Sequence, residues 1–162
     1  MPLCKVLHKG KTHLAVSLGV EAVKARKLTY FVDCQRLVSD LERAADKGQL
    51  ERRMRFYSHL SLLVIDEVGY LEVGKRGADL LFQLVSRRYE RRSTIVTTNV
   101  GIGSWAKVFG DPVVASAIAD KLCEASHKRS YAKHCIMRSQ REGTQARGPM
   151  RLRRLCIMCI AV

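Results

Sequence analysis

Apolar length is what this chain lacks most visibly. The C-terminal run Leu155–Val162 is far shorter than the roughly 20 residues that span a bilayer, and no signal peptide stands at the N-terminus. Both absences point to a cytoplasmic protein with no membrane partner. Acidic residues are also scarce. The chain has 15 Asp and Glu against 29 Lys and Arg, for a net charge of +14. That imbalance suggests a polyanionic partner, most often nucleic acid. Six cysteines are present in 162 residues, but the chain does not resemble a small secreted scaffold that needs staples. They read as free thiols of a reducing compartment. A zinc site is short of ligands. Cys156-Ile157-Met158-Cys159 supplies two, while the next candidates, Cys135 and His134, lie about twenty residues away and a closed site needs four. No internal repeat is present.

What is there is a chain long enough for one real core, with 47% apolar residues. Its most informative stretch is Leu62-Leu63-Val64-Ile65-Asp66-Glu67. Four apolar residues in succession read as a strand buried on both faces of a parallel sheet. The two acids would emerge at its carboxyl end, where α/β sheets bind ligands. There a first carboxylate can hold hydrated Mg²⁺ and a second can polarise an attacking water. This is a Walker B arrangement, and it needs a phosphate loop upstream. The window Lys5-Val6-Leu7-His8-Lys9-Gly10-Lys11-Thr12 supplies the second half of one. In a complete G-x-x-x-x-G-K-[ST] loop the glycines let backbone N–H groups wrap the phosphates, the Lys neutralises them and the hydroxyl binds the metal. Here Lys5 replaces the first glycine. Gly10-Lys11-Thr12 alone also fits a basic helix start, and Asp66-Glu67 alone fits acids opening a turn at Gly69. It is their joint presence that favours a nucleotide site.

The elements between them alternate. Helical spacing covers Lys11–Ala25, and Leu28–Val32 reads as a strand. Leu37, Val38, Leu41, Ala44 and Ala45 form a helical stripe stopped by Gly48, and a short basic helix spans Leu50–Tyr57. A strand follows at Leu60–Ile65. Ala78, Leu81, Phe82, Val85 and Tyr89 mark the next helix, and Ser93–Thr98 the next strand. Gly101, Gly103, Gly110 and Pro112 predict a loop, then Val113–Ala125 a last helix. This alternation argues for a parallel, doubly wound α/β sheet. Periodicity fails beyond about His127. Residues 128–154 hold nine Lys and Arg and one Glu, a net +8, so residues 128–162 are expected to be a basic, poorly ordered tail after a core at 1–127.

Further candidates sit around this frame. Asn99, at the tip of the strand Ser93–Thr98, could orient water or touch a γ-phosphate, though it also suits a plain turn. Arg52 and Arg53, with Arg55, form one basic cluster; Arg87, Arg88, Arg91 and Arg92 form another. Both are candidates for DNA contact, and both equally suit a solvated helix face. Stacking aromatics are nearly missing beside them, apart from Phe56 and Tyr57.

The strings Lys11-Thr12-His13-Leu14-Ala15 and Leu63-Val64-Ile65-Asp66-Glu67-Val68-Gly69-Tyr70-Leu71 resemble the IstB/DnaC-like ATPases. Gly77 through Val85, Arg87 through Ile95, and Trp105 with Phe109-Gly110-Asp111-Pro112 extend the likeness over about residues 10–127. These strings are similar to the IstB branch, the helper ATPases of insertion sequences, more than to the DnaC branch of helicase loaders. The resemblance implies an AAA+ P-loop module: a three-layer sandwich with a parallel sheet of order 5-1-4-3-2, the Asp66 strand central. It implies ATP and Mg²⁺ as cofactors, homo-oligomers on DNA, and a transposase as partner. Lys11 and Thr12, after Gly10, would hold phosphates; Thr12 and Asp66 would hold Mg²⁺. Glu67 would be the catalytic acid, Asn99 the sensor, and Lys121 would stand where the family carries a finger arginine.

Three departures accompany the likeness. The glycine-rich loop is altered at Lys5–Lys9, and the helical domain that precedes it in the family is expected to be missing. Asp120-Lys121-Leu122 replaces Asp-Arg-Leu, and lysine lacks the planar fork. After Ser126-His127 a basic tail replaces the family's last strand. Both ends therefore affect the sheet edge formed by the first and last strands, as expected of a truncated or partly mis-framed copy. The expected function is an ATP-binding transposition helper with impaired turnover. The alternatives are a non-enzymatic basic DNA-binding protein, a degenerate ATPase remnant, or a DnaC-like helicase loader.

Overall fold

The computed structural model describes residues 10–127 and 156–160. Helix α1 (Lys11–Lys24) opens the described chain and leads to β1 (Thr29–Asp33). Helices α2 (Cys34–Asp46) and α3 (Leu50–His59) follow, then β2 (Leu62–Val68), α4 (Gly74–Arg88) and β3 (Ser93–Thr98). A 3₁₀ turn (Ile102–Ser104), α5 (Trp105–Phe109), α6 (Pro112–His127) and β4 (Cys156–Ile160) complete it. The sheet has the order β1-β2-β3-β4 and every pairing is parallel. This is the expected α/β P-loop architecture, with the Asp66 strand inside the sheet.

Alternation along the strands sorts two cores. Leu62 and Val64 of β2 and Ile95 of β3 pack with Ala15 and Ala22 of α1 on one face. Leu63 and Ile65 of β2 and Val96 of β3 pack on the other face with α2, α4 and α6, through Leu37, Leu41, Leu81, Leu84 and Ile118. That face holds the larger core. Helix ends are fixed locally. The Asp33 carboxylate accepts from Arg36 N at 2.7 Å to cap α2, and Asp111 accepts from Val113 N at 2.8 Å to start α6. Gly77 lets α4 lie close on α2, since a Cβ there would stand 2.4 Å from Val38 Cγ1.

Two expectations need correction. Residues 101–112 are not all loop: Trp105, Val108 and Phe109 are buried at i, i+3 and i+4, and form α5. Strand β2 does not stop at Ile65 but carries Asp66 and Glu67 within it to Val68. Beyond His127 the described residues Cys156–Ile160 pair with β3, Thr94 opposite Cys156 through Thr98 opposite Ile160. In the expected order, that position beside β3 belongs to the strand preceding the phosphate loop. Residues 1–9 and the rest of the tail, with Lys5–Lys9 and the Cys135/His134 pair, lie outside the described residues. Among those described, no helix is long and apolar enough to cross a membrane.

Candidate functional site

The two acids are separated by a break in the β2 ladder. Ile65 pairs with Val96 and Val68 with Thr98, so two residues of β2, Asp66 and Glu67, stand against the single Thr97. This is a β-bulge, which re-aims side chains. Glu67 carries the left-handed backbone that such a kink demands, φ 59°. A non-glycine residue there costs roughly 1–2 kcal/mol. The extra residue also slips the alternation: Leu63, Ile65 and then Val68 enter the larger core. In an unbroken strand Glu67 would have been driven into that core. Instead it is exposed, while Asp66 is 5% exposed and keeps to the α1 face.

Helix α1 brings the second half of the site. Gly10, φ 100°, turns the chain into the helix in a conformation that costs L side chains dearly. The N-terminus of α1 lies beside the C-terminal ends of β2 and β3. Thr12 Oγ1 donates to Asp66 Oδ1 at 3.3 Å, and Lys11 Nζ donates to Thr98 O at 2.9 Å. Lys11 and Thr12 thus come to the end of the sheet that carries Asp66, with Glu67 next to it in the chain. A helix N-terminus, an ammonium and a hydroxyl make an anion site; a hydroxyl with a buried carboxylate makes a hard-cation site. Asp66 fits such a cation, because its partners are hydroxyls and no cation pairs with it among the described residues.

Other candidates fall elsewhere. Asn99 is exposed immediately after β3, at the end of the sheet where β2 carries the acids. Lys121 is not close to them. Its Nζ lies 5.0 Å from the Tyr89 ring centre and 5.7 Å from that of Phe82, a cation–π arrangement within the same chain. Tyr89 follows the end of α4 and precedes the start of β3, so this cluster is at the opposite end of the sheet from Asp66. Among the arginines, Arg88 is corrected outright: at 1% exposure it cannot reach DNA. Its guanidinium donates to Tyr57 O, Leu60 O, Ser93 O and Thr94 Oγ1, tying α3 to the start of β3. Arg87 is held by both carboxylate oxygens of Glu51, at 3.0 and 2.8 Å. Arg53 pairs with Asp40 and lies over the Phe56 and Tyr57 rings. Burial pushes the Asp40 carboxyl up, but hydrogen bonds from Arg53 and Tyr57 and the charges of Arg53 and Arg43 outweigh it, leaving a lowered pKa. Arg52, Arg91 and Arg92 face solvent.

Sequence reasoning missed two hydroxyls. Thr97 Oγ1 accepts from Glu67 N at 3.1 Å and donates to Asp66 Oδ1. Thr98 Oγ1 donates to Val68 O at 2.5 Å and accepts from Val100 N at 3.3 Å. Their β-branched character marked them as strand formers. Nothing in the local pattern said that a bulge would aim one of them at the acids.

Comparison with known proteins agrees with this geometry. The family model described as "IstB-like ATP binding protein" matches residues 7–144. A protein of Bacillus thuringiensis subsp. berliner, provisionally named an ATP-binding protein of insertion sequence IS232, is 50% identical over 113 residues, covering 70% of this chain and 45% of the relative. One from Pseudomonas aeruginosa, provisionally named for insertion sequence IS21, is 44% identical over 117 residues, covering 72% and 44%. The chain therefore spans about half the length of the curated relatives it matches. Among solved structures, AMPPCP-bound DnaA from Aquifex aeolicus superposes with a TM-score of 0.60 at 20% identity, covering 71% of this chain and 36% of DnaA. That likeness concerns the fold.

Proposed function

Because the chain belongs to the family of IstB-like ATP-binding proteins, we propose that it binds ATP with Mg²⁺ and serves as a helper in DNA transposition, assembling on DNA as a homo-oligomer that engages a transposase. The observation that carries the nucleotide part is the convergence of Lys11, Thr12, Asp66 and Glu67 at one end of the sheet. In this reading Lys11 and the first N–H groups of α1 hold the phosphates. Thr12 and Asp66 hold Mg²⁺, which when bound would neutralise phosphate charge. Glu67, exposed beside Asp66, orients the attacking water and takes its proton. The names of the insertion-sequence relatives support the transposition part. The net charge and solvent-facing Arg52, Arg91 and Arg92 support the DNA part.

Equilibrium binding of a fluorescent ATP analogue with Mg²⁺ tests the nucleotide part. Saturable binding, lost in Lys11→Ala and in Asp66→Asn, is the expected outcome. No binding at millimolar nucleotide sinks it. A second reading, nucleotide binding with little turnover, is favoured by Lys121, whose ammonium is engaged by Phe82 and Tyr89 of its own chain. An arginine finger contributes about 10³–10⁵ in rate to phosphoryl transfer, and lysine has no planar fork to replace it. DNA affinity that falls steeply with salt and ignores ATP would instead support a DNA-binding protein without nucleotide.

A further inference from the structure

We propose that Thr97 is the positioning residue of the acid pair: its hydroxyl fixes the bulge that separates Asp66 from Glu67, and so sets where both carboxylates point. The catalytic part of this inference rests on the nucleotide reading above; the structural part does not.

Thr97 is 3% exposed and stands alone opposite the two acids. At a bulge the extra residue loses its ladder partner. Here the Thr97 hydroxyl supplies one, accepting from Glu67 N at 3.1 Å. The same oxygen donates its proton to Asp66 Oδ1, the oxygen that also accepts from Thr12. One hydroxyl therefore satisfies the amide of one acid and orients the carboxylate of the other. The left-handed backbone of Glu67 is unfavourable by itself and persists only where its surroundings hold it. Other features hold it on the far side: Tyr70 N donates to Glu67 O at 3.2 Å, the absent Cβ of Gly69, φ 97°, would stand 2.3 Å from Val100 Cγ2, and Thr98 is bonded to Val68 O. Among the described residues, the Thr97 side chain is the one that bonds both the bulge amide and the carboxylate aimed at Thr12.

The test compares Thr97→Val, which keeps the shape and removes the hydroxyl, with Thr97→Ser, which keeps the hydroxyl. The first readout needs no ligand: hydrogen exchange at the Glu67 amide of the intact chain. Thr97→Val should speed it at least tenfold while core amides such as Leu63 and Val64 stay within threefold, and Thr97→Ser should match the unaltered protein. An unchanged Glu67 rate in Thr97→Val, or equal acceleration in both variants, overturns the proposal. The second readout is steady-state ATP hydrolysis with Mg²⁺. Thr97→Val should lower kcat at least tenfold with KM for Mg-ATP within threefold, and Thr97→Ser should restore it. A fall in KM-limited binding alone, or no rescue by serine, shows a merely structural threonine and overturns the catalytic part. If the unaltered chain neither binds nor hydrolyses ATP, the nucleotide reading fails, while the exchange experiment still decides the role of Thr97 in the bulge.

Discussion

Replacing Arg88 should cost this fold more than any other single arginine. The side chain is 1% exposed, and its donors reach Tyr57 O at 2.5 Å, Leu60 O at 3.1 Å, Thr94 Oγ1 at 2.9 Å, and Ser93 O. Tyr57 and Leu60 lie at the C-terminal end of α3, where carbonyls have no intrahelical donors and the helix dipole favours a cation. Arg88→Met keeps most of the apolar stem but takes the charged donor away from all four acceptors. Each hydrogen bond from a charged group contributes about 1.5–3 kcal/mol, yet burying the guanidinium is itself unfavourable, so the values do not add. Losing one partner of a buried charged network typically costs about 3–5 kcal/mol, and that is the expected loss. Against a total stability of roughly 5–15 kcal/mol it is a large fraction. Urea unfolding followed by far-ultraviolet circular dichroism measures it, with Arg92→Ala as an exposed control expected within about 0.5 kcal/mol. A loss below about 1 kcal/mol for Arg88→Met would mean that water or neighbouring groups satisfy the carbonyls, and the reasoning would be wrong. If the chain binds DNA as proposed, the salt dependence of that binding should be unchanged in the folded variant, since a buried guanidinium neutralises no phosphate.

Three further outcomes follow from particular contacts. Gly77→Ala places a Cβ 2.4 Å from Val38 Cγ1 and 2.8 Å from Val73 Cγ1; the overpacking should lower stability by about 1–3 kcal/mol, despite alanine's better helix propensity, in the same urea assay. Asp40 has a lowered pKa in the folded chain, so its contribution is intact above the ordinary value of 3.8 and is lost as pH falls through the lower folded value. The difference in urea midpoint between the unaltered protein and Asp40→Asn should therefore be flat at neutral pH and close below 3.8; a difference that widens in acid contradicts this sign. Burial, with a smaller push from the Asp33 charge, raises the Cys34 thiol to about 12, so iodoacetamide at pH 8 should leave Cys34 unmodified in the native protein and alkylate it in urea, as peptide mass mapping would show.

Much of this molecule was legible in one dimension because its signals are local. Four consecutive apolar residues before Asp66 mark a strand buried on both faces, and no tertiary information is needed to see that acids follow it. Helical spacing from Lys11 and β-branching at Ser93–Thr98 are read the same way, and alternation of such segments restricts the sheet to parallel pairing. Those facts, with the family strings, singled out Gly10, Lys11, Thr12, Asp66 and Glu67 as the candidate nucleotide site, and the fold brings Lys11 and Thr12 to the end of the sheet where Asp66 lies. What the chain could not announce depends on partners distant in sequence. A bulge exists only as a mismatch between two strands, so the left-handed Glu67 and the role of Thr97, thirty residues away, appear only once β2 lies beside β3. Arg88 looks like its neighbour Arg87 in a basic run, but the helix turns one toward Glu51 and the other into the gap between α3 and β3. That Lys121 lies against Phe82 and Tyr89 is set by packing, and α5 was hidden among glycines until Trp105 and Phe109 were buried. Strand β4 pairs with an edge whose nearest described residue in sequence is 58 positions upstream, Thr98 to Cys156. Periodicity reports which face of an element is apolar; only the assembled layers decide what that face meets.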